Sequence, residues 1–294
     1  MTGERTWLGE RFEEERVRLR GVAYRMLGSF SEAEDAVQEA WLRLSRAEAG
    51  SIENLSAWLT TVVSRVCLNM LRTRRTRREE PFDVHIPDPM VAPDLGGDPE
   101  QEALLADSVG LALLVVLDTL TPAERLAFVL HDMFGVPFEE IAVVVDRTPT
   151  AARQLASRAR RRVQSATVPD TDLRRQREVV DAFLAASRAG DFEALLAVLD
   201  PGVVVRADGG EAMAQFSTVL RGARAVAGQA FAAARMGLTT RPALVNGAAG
   251  LVSWDTLGRP FSVMAFTVEA GRIVELDVLL DPERLHRLDL AALR

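Results

Sequence analysis

Two runs of arginine along this chain carry the charge needed to hold phosphate groups. Six arginines lie between Arg65 and Arg78 with no acidic residue among them, and a second set runs from Arg147 to Arg162. Guanidinium groups bind phosphate oxygens through charge-assisted hydrogen bonds and release the counterions of a polyanion. A solvated helix end accounts for one or two arginines but not for six. We therefore expect two separate nucleic-acid contacts, although the net charge of the chain is −7.

The second arginine set lies behind two helices joined by a short turn. Residues 138–145 predict the first helix and residues 150–163 the second, with Pro149 in the turn, which is helix-turn-helix spacing. An ordinary helical hairpin with a hydrated face is the alternative. On the second helix, the residues expected to pack inward are Ala152, Leu155, Ala159 and Val163. The residues left facing outward are Thr150, Arg153, Gln154, Ser157, Arg158, Arg161 and Arg162.

These outward residues divide by position along the helix. Arg153 and Gln154 lie near its amino end, where recognition helices reach base edges, and both types suit bidentate base contacts. Arg158, Arg161 and Arg162 are better placed for phosphates. In the first arginine set, the candidates for nucleic-acid contact are Asn69, Arg72, Arg74 and Arg75.

The elements that position these residues fall into four parts. Residues 1–80 read as helices throughout, and residues 81–107 are an acidic, proline-rich linker. Residues 108–168 are helical again; Thr121 with Glu124 predicts a capping box. Residues 171–294 change to helices followed by antiparallel strands, which describes an α+β domain with a curved sheet. The linker is either a solubilising spacer or an extended strand that occupies a basic channel meant for nucleic acid or rests on one of the two arginine sets.

A polar helix face in the first part suits a basic partner. Ser31 followed by Glu34 predicts a capping box, which opens a helix from Glu32 to about Ser45. Its inner stripe is expected to be Ala33, Ala36, Val37, Ala40 and Leu44. Its outward face carries Asp35, Gln38 and Glu39.

The composition excludes several classes of protein. The single cysteine, Cys67, forms no internal disulfide and is expected to be a buried thiol of a cytoplasmic protein. The charged amino terminus predicts no signal peptide, and the longest apolar run is too short to span a membrane. The three histidines are scattered, so we expect no metal site and no cofactor.

The helical parts resemble a known family. Residues 34–44, Glu-Asp-Ala-Val-Gln-Glu-Ala-Trp-Leu-Arg-Leu, resemble the helix by which bacterial sigma factors of the extracytoplasmic-function type bind core RNA polymerase. Residues 57–78 resemble their helix for the −10 promoter element, and residues 120–162 resemble their domain 4, which reads the −35 element. The resemblance implies a sigma factor with core RNA polymerase and promoter DNA as partners. It assigns polymerase binding to Asp35, Gln38 and Glu39.

The last part has a resemblance of its own. Residues 190–196 and 205–210 resemble a SnoaL-like domain of the NTF2-like superfamily. This fusion marks the SigJ-like subgroup, in which the extra domain regulates the sigma core in cis. The implied fold is multidomain. Two all-α sigma domains, a helical bundle and a helix-turn-helix, precede an α+β, cone-shaped SnoaL/NTF2-like domain.

Three short motifs of the subgroup are altered in this chain. Residues 85–89, His-Ile-Pro-Asp-Pro, stand where Trp-Leu-Pro-Glu-Pro is usual, and residues 208–211 lack the lysine of Asp-Gly-Gly-Gly-Lys. Residues 281–285, Asp-Pro-Glu-Arg-Leu, replace Asn-Pro-Asp-Lys-Leu. The residues that the resemblance implies for regulatory contacts are His85, Pro87, Asp88, Pro89, Asp208, Gly209, Gly210, Asp281, Pro282 and Leu285.

A ligand-responsive DNA-binding regulator, or a SnoaL-type enzyme fused to a DNA-binding module, is the competing interpretation. Asp208, Asp255 and Asp277 are candidate cavity carboxylates, with Trp254 as a candidate stacking wall. Asp208 precedes two glycines and is more simply a turn residue. We therefore expect no catalytic residues, while a small-molecule ligand in the carboxy-terminal domain stays open.

Overall fold

The computed structural model describes residues 2–47, 52, 54–77, 84–93, 110–164 and 170–293, with side chains from Leu8 onwards and, in the third helix, as far as Arg74. The chain forms two compact units. The helical unit comprises Met1–Pro81 and Leu113–Ala166, and the carboxy-terminal unit comprises Phe82–Ala112 and Thr167–Arg294. The helical segments that we expected as separate domains therefore share one unit, and much of the linker belongs to the other.

Three helices begin the helical unit: α1 (Thr2–Leu27), α2 (Phe30–Leu44) and α3 (Leu55–Arg77). Gly28 ends α1 with a φ of 69°, in the left-handed region where glycine is favoured. The predicted inner stripe of α2 is buried as expected. Leu19, Met26, Leu59 and Leu68 fill the core among these helices, and Cys67 is buried there, as predicted.

The predicted capping box of α2 is wrong. Ser29 is the N-cap, its side chain makes no capping hydrogen bond, and its hydroxyl lies 3.1 Å from that of Ser31. The Glu34 carboxylate pairs instead with Arg16 at 3.3 Å and Arg20 at 3.2 Å, both on α1. Two guanidinium groups compete better for this carboxylate than one backbone amide does.

The second helical segment contains α4 (Leu111–Asp118), α5 (Pro122–Phe128), α6 (Phe138–Val145) and α7 (Pro149–Gln164). The capping box of α5 is confirmed: the Glu124 amide donates to the Thr121 hydroxyl at 3.3 Å, and the Thr121 amide donates to the Glu124 carboxylate at 3.2 Å. One π-helical turn, Val129–Met133, extends α5. Asp146 ends α6 with a φ of 56°.

The helix-turn-helix packs through small residues. Ala152, Ala156 and Ala159 are the buried residues of α7. Leu155 and Val163, which we expected in the core, are only half-buried. The missed position is Ala156, because a face of alanines lets α7 approach its neighbours closely and leaves the longer side chains at the margin.

Arg125 joins the two helical segments. Its side chain is 2% exposed; Nε donates to the carbonyl oxygen of Arg25 on α1 at 3.0 Å, and Nη1 donates to Asp118 at 2.7 Å. Elsewhere, Arg65 on α3 donates to the carbonyl oxygen of Val143 on α6 at 3.2 Å. These long-range hydrogen bonds make one body of residues that the sequence separates.

The carboxy-terminal unit has a seven-stranded sheet covered by helices. Its strands are β1 (Val91–Pro93), β2 (Leu199–Asp208), β3 (Thr218–Arg221), β4 (Thr239–Val245), β5 (Ala248–Trp254), β6 (Pro260–Glu269) and β7 (Arg272–Leu279). The spatial order is β1-β4-β5-β6-β7-β2-β3, and all neighbours are antiparallel except β2 and β7. Its helices are α8 (Leu173–Ala189), α9 (Phe192–Val198), α10 (Ala223–Ala234) and α11 (Pro282–Arg287).

The sheet confirms the run of strands predicted for residues 171–294, although β2 and β7 pair in parallel rather than antiparallel. The linker adds strand β1, which pairs with β4. Pro201-Gly202 has the composition of a helix end, but α9 ends at Val198 and these residues lie within β2. The pairing of β2 with β7 shifts register between Leu199 and Val204, so the strand absorbs the proline at an irregularity.

The core of this unit lies between the helices and one face of the sheet. Phe183 of α8 and Phe266 of β6 meet edge to face at 5.4 Å. Leu195, Leu199, Leu251 and Ile273 are fully buried around them. Burial of this apolar surface stabilises the sheet, whose strand β4 pairs with the linker.

Candidate nucleic-acid interface

The outward face of α7 carries every polar residue predicted for it. Thr150, Arg153, Gln154, Ser157, Arg158, Arg161 and Arg162 are all exposed. The buried alanines set this orientation, because residues three and four positions apart share one side of a helix. The face is wide enough to present base-reading and phosphate-binding groups together.

Neighbouring groups hold several of these arginines in place. The Arg153 guanidinium lies 5.1 Å from the centre of the Phe138 ring, and this cation–π contact steadies the side chain without using its N–H donors. Arg158 and Arg162 both approach the Glu124 carboxylate at 3.3 Å, while about half of each side chain remains exposed. The amino end of α7 therefore offers a supported arginine beside Gln154.

The first arginine set is divided by the structure. Asn69 and Arg72 are exposed on α3. Arg74 turns inward, where it donates to the carbonyl oxygen of Leu27 at 3.1 Å and pairs with Glu32 of α2. The structure therefore commits Arg74 to an intramolecular contact, which argues against a direct nucleic-acid contact in this conformation. The side chain of Arg75 lies outside the described residues.

The polar face of α2 is exposed as predicted and has an apolar margin. Asp35 and Gln38 are exposed, and Glu39 is half-buried and pairs with Arg43 at 2.9 Å. Phe30 and Leu42 are 42% and 40% exposed, although both are large and apolar. We did not single out these two residues. Such side chains at the edge of a polar face are typical of a docking surface.

A separate site in the carboxy-terminal unit holds the linker. The Ile86 amide donates to Asp208 at 2.9 Å, and Ile86 is fully buried. Arg284 of α11 donates to Asp208 at 2.7 Å, to Asp88 at 2.5 Å and also to the carbonyl oxygen of Ile86. His85 lies 3.7 Å from Asp208, and Pro87 and Pro89 are buried.

Backbone pairing extends this contact. The Met90 amide donates to the Asn246 side chain at 3.0 Å, and the Asn246 amide donates to the carbonyl oxygen of Met90 at 2.8 Å. Residues 91–93 then pair with residues 243–245 as the edge strand β1. The linker residues 84–93 are therefore held by side chains and by main-chain hydrogen bonds.

The two glycines after Asp208 are needed where they stand. A Cβ at Gly210 would lie 2.2 Å from the Asp281 carboxylate, and a Cβ at Gly209 would lie 2.2 Å from the carbonyl oxygen of Met213. Asp208 also accepts from the Gly210 amide at 3.1 Å, so it is both the predicted turn residue and a linker ligand. Asp281 caps α11, where Pro282 is the first residue, and Leu285 is buried.

Arg284 is the residue of this site that sequence reasoning missed. The usual lysine of the Asp-Gly-Gly-Gly-Lys motif is absent, because Glu211 and Ala212 follow Gly210 in place of glycine and lysine. Arg284 places a cation on Asp208 from another part of the chain. The sequence offered one signal: Asp208 has no cation in its own motif, whereas Arg284 supplies one in the motif of residues 281–285.

The other candidate carboxylates are separated. Asp255 lies in the turn after β5, where hydrogen bonds from the Arg259 backbone and side chain lower its pKa. Asp277 on β7 pairs with Arg206 at 3.1 Å, and burial raises its pKa to about 6. Among the residues that the structure describes, no cluster of histidine, cysteine and carboxylates could hold a metal ion. In the same part of the chain, no helix is long and apolar enough to cross a membrane.

Comparisons with known proteins agree with this geometry. Residues 11–77 match the model for sigma-70 region 2, and residues 110–163 match the model for sigma-70 region 4. The chain is 38% identical over 281 residues to the probable extracytoplasmic-function sigma factor SigI of Mycobacterium tuberculosis, and the match covers 91% of each chain. It is 43% identical over 199 residues to SigJ of that organism, covering 67% of this chain and 64% of SigJ.

A solved structure extends the similarity to both units. The crystal structure of SigJ from M. tuberculosis aligns with a TM-score of 0.74 at 34% identity, covering 96% of this chain and 99% of that one. The two helical regions, the helix-turn-helix and the helix-covered sheet thus occur together and in the same order. The chain belongs to the extracytoplasmic-function family of RNA polymerase sigma factors.

Proposed function

We propose that this sigma factor divides promoter recognition between α7 and α3 and binds core RNA polymerase through α2. The exposed polar face of α7 carries the proposal, because it joins bidentate base-reading types at one end to phosphate-binding arginines at the other. Arg153 and Gln154 read base pairs of the −35 element. Asn69 and Arg72 contact the region of the −10 element.

Binding to promoter DNA tests this division. Arg153→Ala or Gln154→Ala is expected to cost about 1–3 kcal/mol and to relax preference at particular base pairs. Arg161→Ala is expected to weaken binding to every sequence and to lower the salt dependence by about one charge. Affinities at several salt concentrations for cognate and scrambled −35 elements distinguish the two effects. Equal losses on both sequences for Arg153→Ala would reject base readout.

Polymerase binding is assigned to the polar face of α2. Asp35 and Gln38 are exposed beside Phe30 and Leu42, so acidic and apolar groups are presented together. Reversing Asp35 and Glu39 to arginine is expected to weaken competition for core polymerase at least tenfold while leaving the fold intact. Reversal of Glu13 and Glu14 on α1 is the matched control, since it makes the same charge change elsewhere on the helical unit.

We further propose that the carboxy-terminal unit regulates transcription in cis by holding the linker. The hydrogen bonds of Arg284 and Asp208 to residues 86–88 support this, because the linker connects the two promoter-binding regions. In transcription with core polymerase, Arg284→Met is expected to change output several-fold, whereas Arg287→Met, on the exposed side of the same helix, leaves it unchanged. Two truncated proteins, one ending near residue 170 and one near residue 280, are also expected to change the amount of transcript. If transcription is unaltered in Arg284→Met and in both truncated proteins, the carboxy-terminal unit has no regulatory role.

Contact rather than catalysis is the role that we assign to this domain. Asp208 is engaged by the linker and Asp277 by Arg206, so neither carboxylate is placed as a general base for a substrate. The protein acts in the cytoplasm, where core polymerase and promoter DNA are found. If the domain were a SnoaL-type enzyme, it would still turn over a substrate after the helical unit had lost its function. If the protein were only a DNA-binding regulator, substitutions on the polar face of α2 would leave its activity unchanged.

A further inference from the structure

Two aromatic rings stack beside the base-reading end of the helix-turn-helix. The centres of the His131 imidazole and the Phe138 phenyl ring lie 3.8 Å apart, with an angle of 28° between their planes. The Arg153 guanidinium lies 5.1 Å from the centre of the same phenyl ring. These three side chains therefore form a chain of contacts from the end of α5, through the start of α6, to the first turns of α7.

The short connection between α5 and α6 brings the two rings together. The Val136 amide donates to the carbonyl oxygen of Leu130 at 2.9 Å, which folds the chain back onto the π-helical turn. The carbonyl oxygen of Val136 accepts from Nδ1 of His131 at 3.0 Å, so a hydrogen bond fixes the imidazole as well as stacking. Pro137 is the N-cap of α6, and Phe138 is the first residue of that helix. The phenyl ring thus enters α6 directly against a held imidazole.

The π-helical turn Val129–Met133 contacts both helices of the helix-turn-helix. His131 of this turn stacks on Phe138, and the neighbouring Asp132 carboxylate pairs with Arg160 of α7. Turns of this kind are rare and are found frequently at functional sites. Here the turn is tied to the start of α6 and to the second half of α7, so it fixes the surroundings of the base-reading end.

Phe138 gives a long side chain a fixed surface. Its exposed fraction is 8%, so packing restricts the ring, whereas Arg153 is exposed and has several rotatable bonds. A cation–π contact restricts those bonds and leaves the N–H donors of the guanidinium available for a base edge. A bidentate contact with a base needs the planar guanidinium at a defined distance and angle. The ring under Arg153 therefore influences how well one base pair is distinguished from another.

We propose that Phe138 is a positioning residue for recognition of the −35 element, held in place by His131; this rests on the base-reading role proposed for Arg153. Phe138 acts through Arg153 and not through a base contact of its own, because the ring is buried and the guanidinium is exposed. A purely structural residue would change stability and the affinity for all sequences alike. A positioning residue changes the discrimination between sequences.

Base-pair discrimination by the full-length protein tests this role. Fluorescence anisotropy at fixed salt gives the ratio of affinities between duplexes with the −35 element that the wild type prefers and duplexes with single base-pair changes in it. Phe138→Leu keeps an apolar side chain and removes the ring. It is expected to lower the ratio about threefold, at the base pairs where Arg153→Ala lowers it more. Phe138→Tyr keeps the ring and is expected to retain the wild-type ratio within about twofold.

Two further comparisons separate positioning from packing. Ile141→Val is the matched control, because Ile141 is fully buried on the same helix and its shortening lowers stability without altering the ring. It is expected to leave the ratio unchanged. In the Arg153→Ala background, Phe138→Leu is expected to have no further effect on the ratio, since the two residues act as a pair. If Phe138→Leu fails to fold, His131→Ala replaces it and is expected to lower the ratio at the same base pairs.

The outcomes distinguish this role from the base-reading role. If Arg153→Ala relaxes discrimination but neither Phe138→Leu nor His131→Ala does, the positioning role is overturned and base reading by Arg153 stands. An equal loss in Ile141→Val, or an undiminished effect of Phe138→Leu in the Arg153→Ala background, would also overturn it. If Arg153→Ala leaves discrimination unchanged, the base-reading role fails and the positioning role fails with it.

Discussion

Arg125 in the helical unit and Arg284 in the carboxy-terminal unit perform the same task in different surroundings. Each binds a backbone carbonyl of a segment far away in sequence, and each pairs with aspartate. Arg125 meets one carboxylate and is 2% exposed, whereas Arg284 meets two carboxylates and its side chain is 15% exposed. Burial lowers the pKa of Arg125 despite Asp118.

The two contacts differ in the free energy needed to break them. A fully buried arginine is costly to keep and more costly to break, which suits a permanent joint. An arginine with all its nitrogens engaged at a solvent-accessible edge can be released into water at a smaller cost. We infer that the linker contact is the more readily opened of the two.

The largest effect is expected from Arg125→Met. The substitution removes the buried cation of an ion pair together with both hydrogen bonds of its guanidinium, and should lower the free energy of unfolding of the helical unit by about 3–5 kcal/mol. Urea unfolding followed by circular dichroism measures it. The double variant Arg125→Met, Asp118→Leu is expected to recover much of the loss, because apolar side chains then replace both members of the ion pair. If Arg125→Met is as stable as the wild type, Arg125 does not hold the two helical segments together.

Asp277 reverses the situation of Arg125, since here the carboxylate is the deeply buried partner. Its pKa of about 6 in the folded state exceeds the usual aspartate value near 4. The folded state therefore binds this proton more tightly, so the stabilising contribution is present below about pH 4 and is lost as pH rises through 6. The loss should be about 2–3 kcal/mol. Arg206 and Glu275 lie beside it, and burial outweighs the attraction of Arg206. Thermal unfolding of Asp277→Asn between pH 4 and 7 should show a flatter profile than the wild type.

Release of the linker by Arg284→Met should cost about 2 kcal/mol, the scale of hydrogen bonds to a charged group. Hydrogen exchange at the Ile86 and Met90 amides is expected to accelerate at least tenfold, while exchange in α8 is unchanged. Arg287→Met serves as the control on the same helix. Slow exchange at Ile86 in Arg284→Met would show that Asp208 and β1 hold the linker without the arginine.

Thr121→Ala is expected to give the smallest effect, about 1 kcal/mol, through loss of the capping box of α5. Thr119→Ala nearby is the control, since its hydroxyl donates only to the Val116 carbonyl oxygen. Chemical denaturation of both variants measures the difference. Equal losses would assign the effect to local packing rather than capping.

The pattern of residues predicted most elements because periodicity and caps are local. Thr121 and Glu124 lie three residues apart, and their mutual hydrogen bonds followed from that spacing. The outward face of α7 followed equally from helical geometry. Ser31 and Glu34 have the same spacing, but arginines of α1, distant in sequence, take the carboxylate. Local rules fail where a partner from elsewhere offers a stronger contact.

The linker site shows the same limit. Its aspartates and glycines could be assigned from the resemblance, but Arg284 could not be paired with Asp208 until the chain was folded, because they lie 76 positions apart. Strand β1 was hidden for a similar reason. The three residues Val-Ala-Pro are too few to show the alternating pattern of a strand. They become a strand only because their backbone pairs with the edge of β4.

That short strand also protects the sheet. β1 covers residues 243–245 of β4, while the neighbouring part of β4 carries Pro242, which has no amide donor, and the charged Arg241. The proline and the arginine keep their own stretch from pairing with other chains, as edge strands generally require. Residues 243–245 lack such protection and depend on the linker. Any state in which the linker departs therefore presents a bare strand edge, and solubility at high concentration becomes tied to the position of the linker.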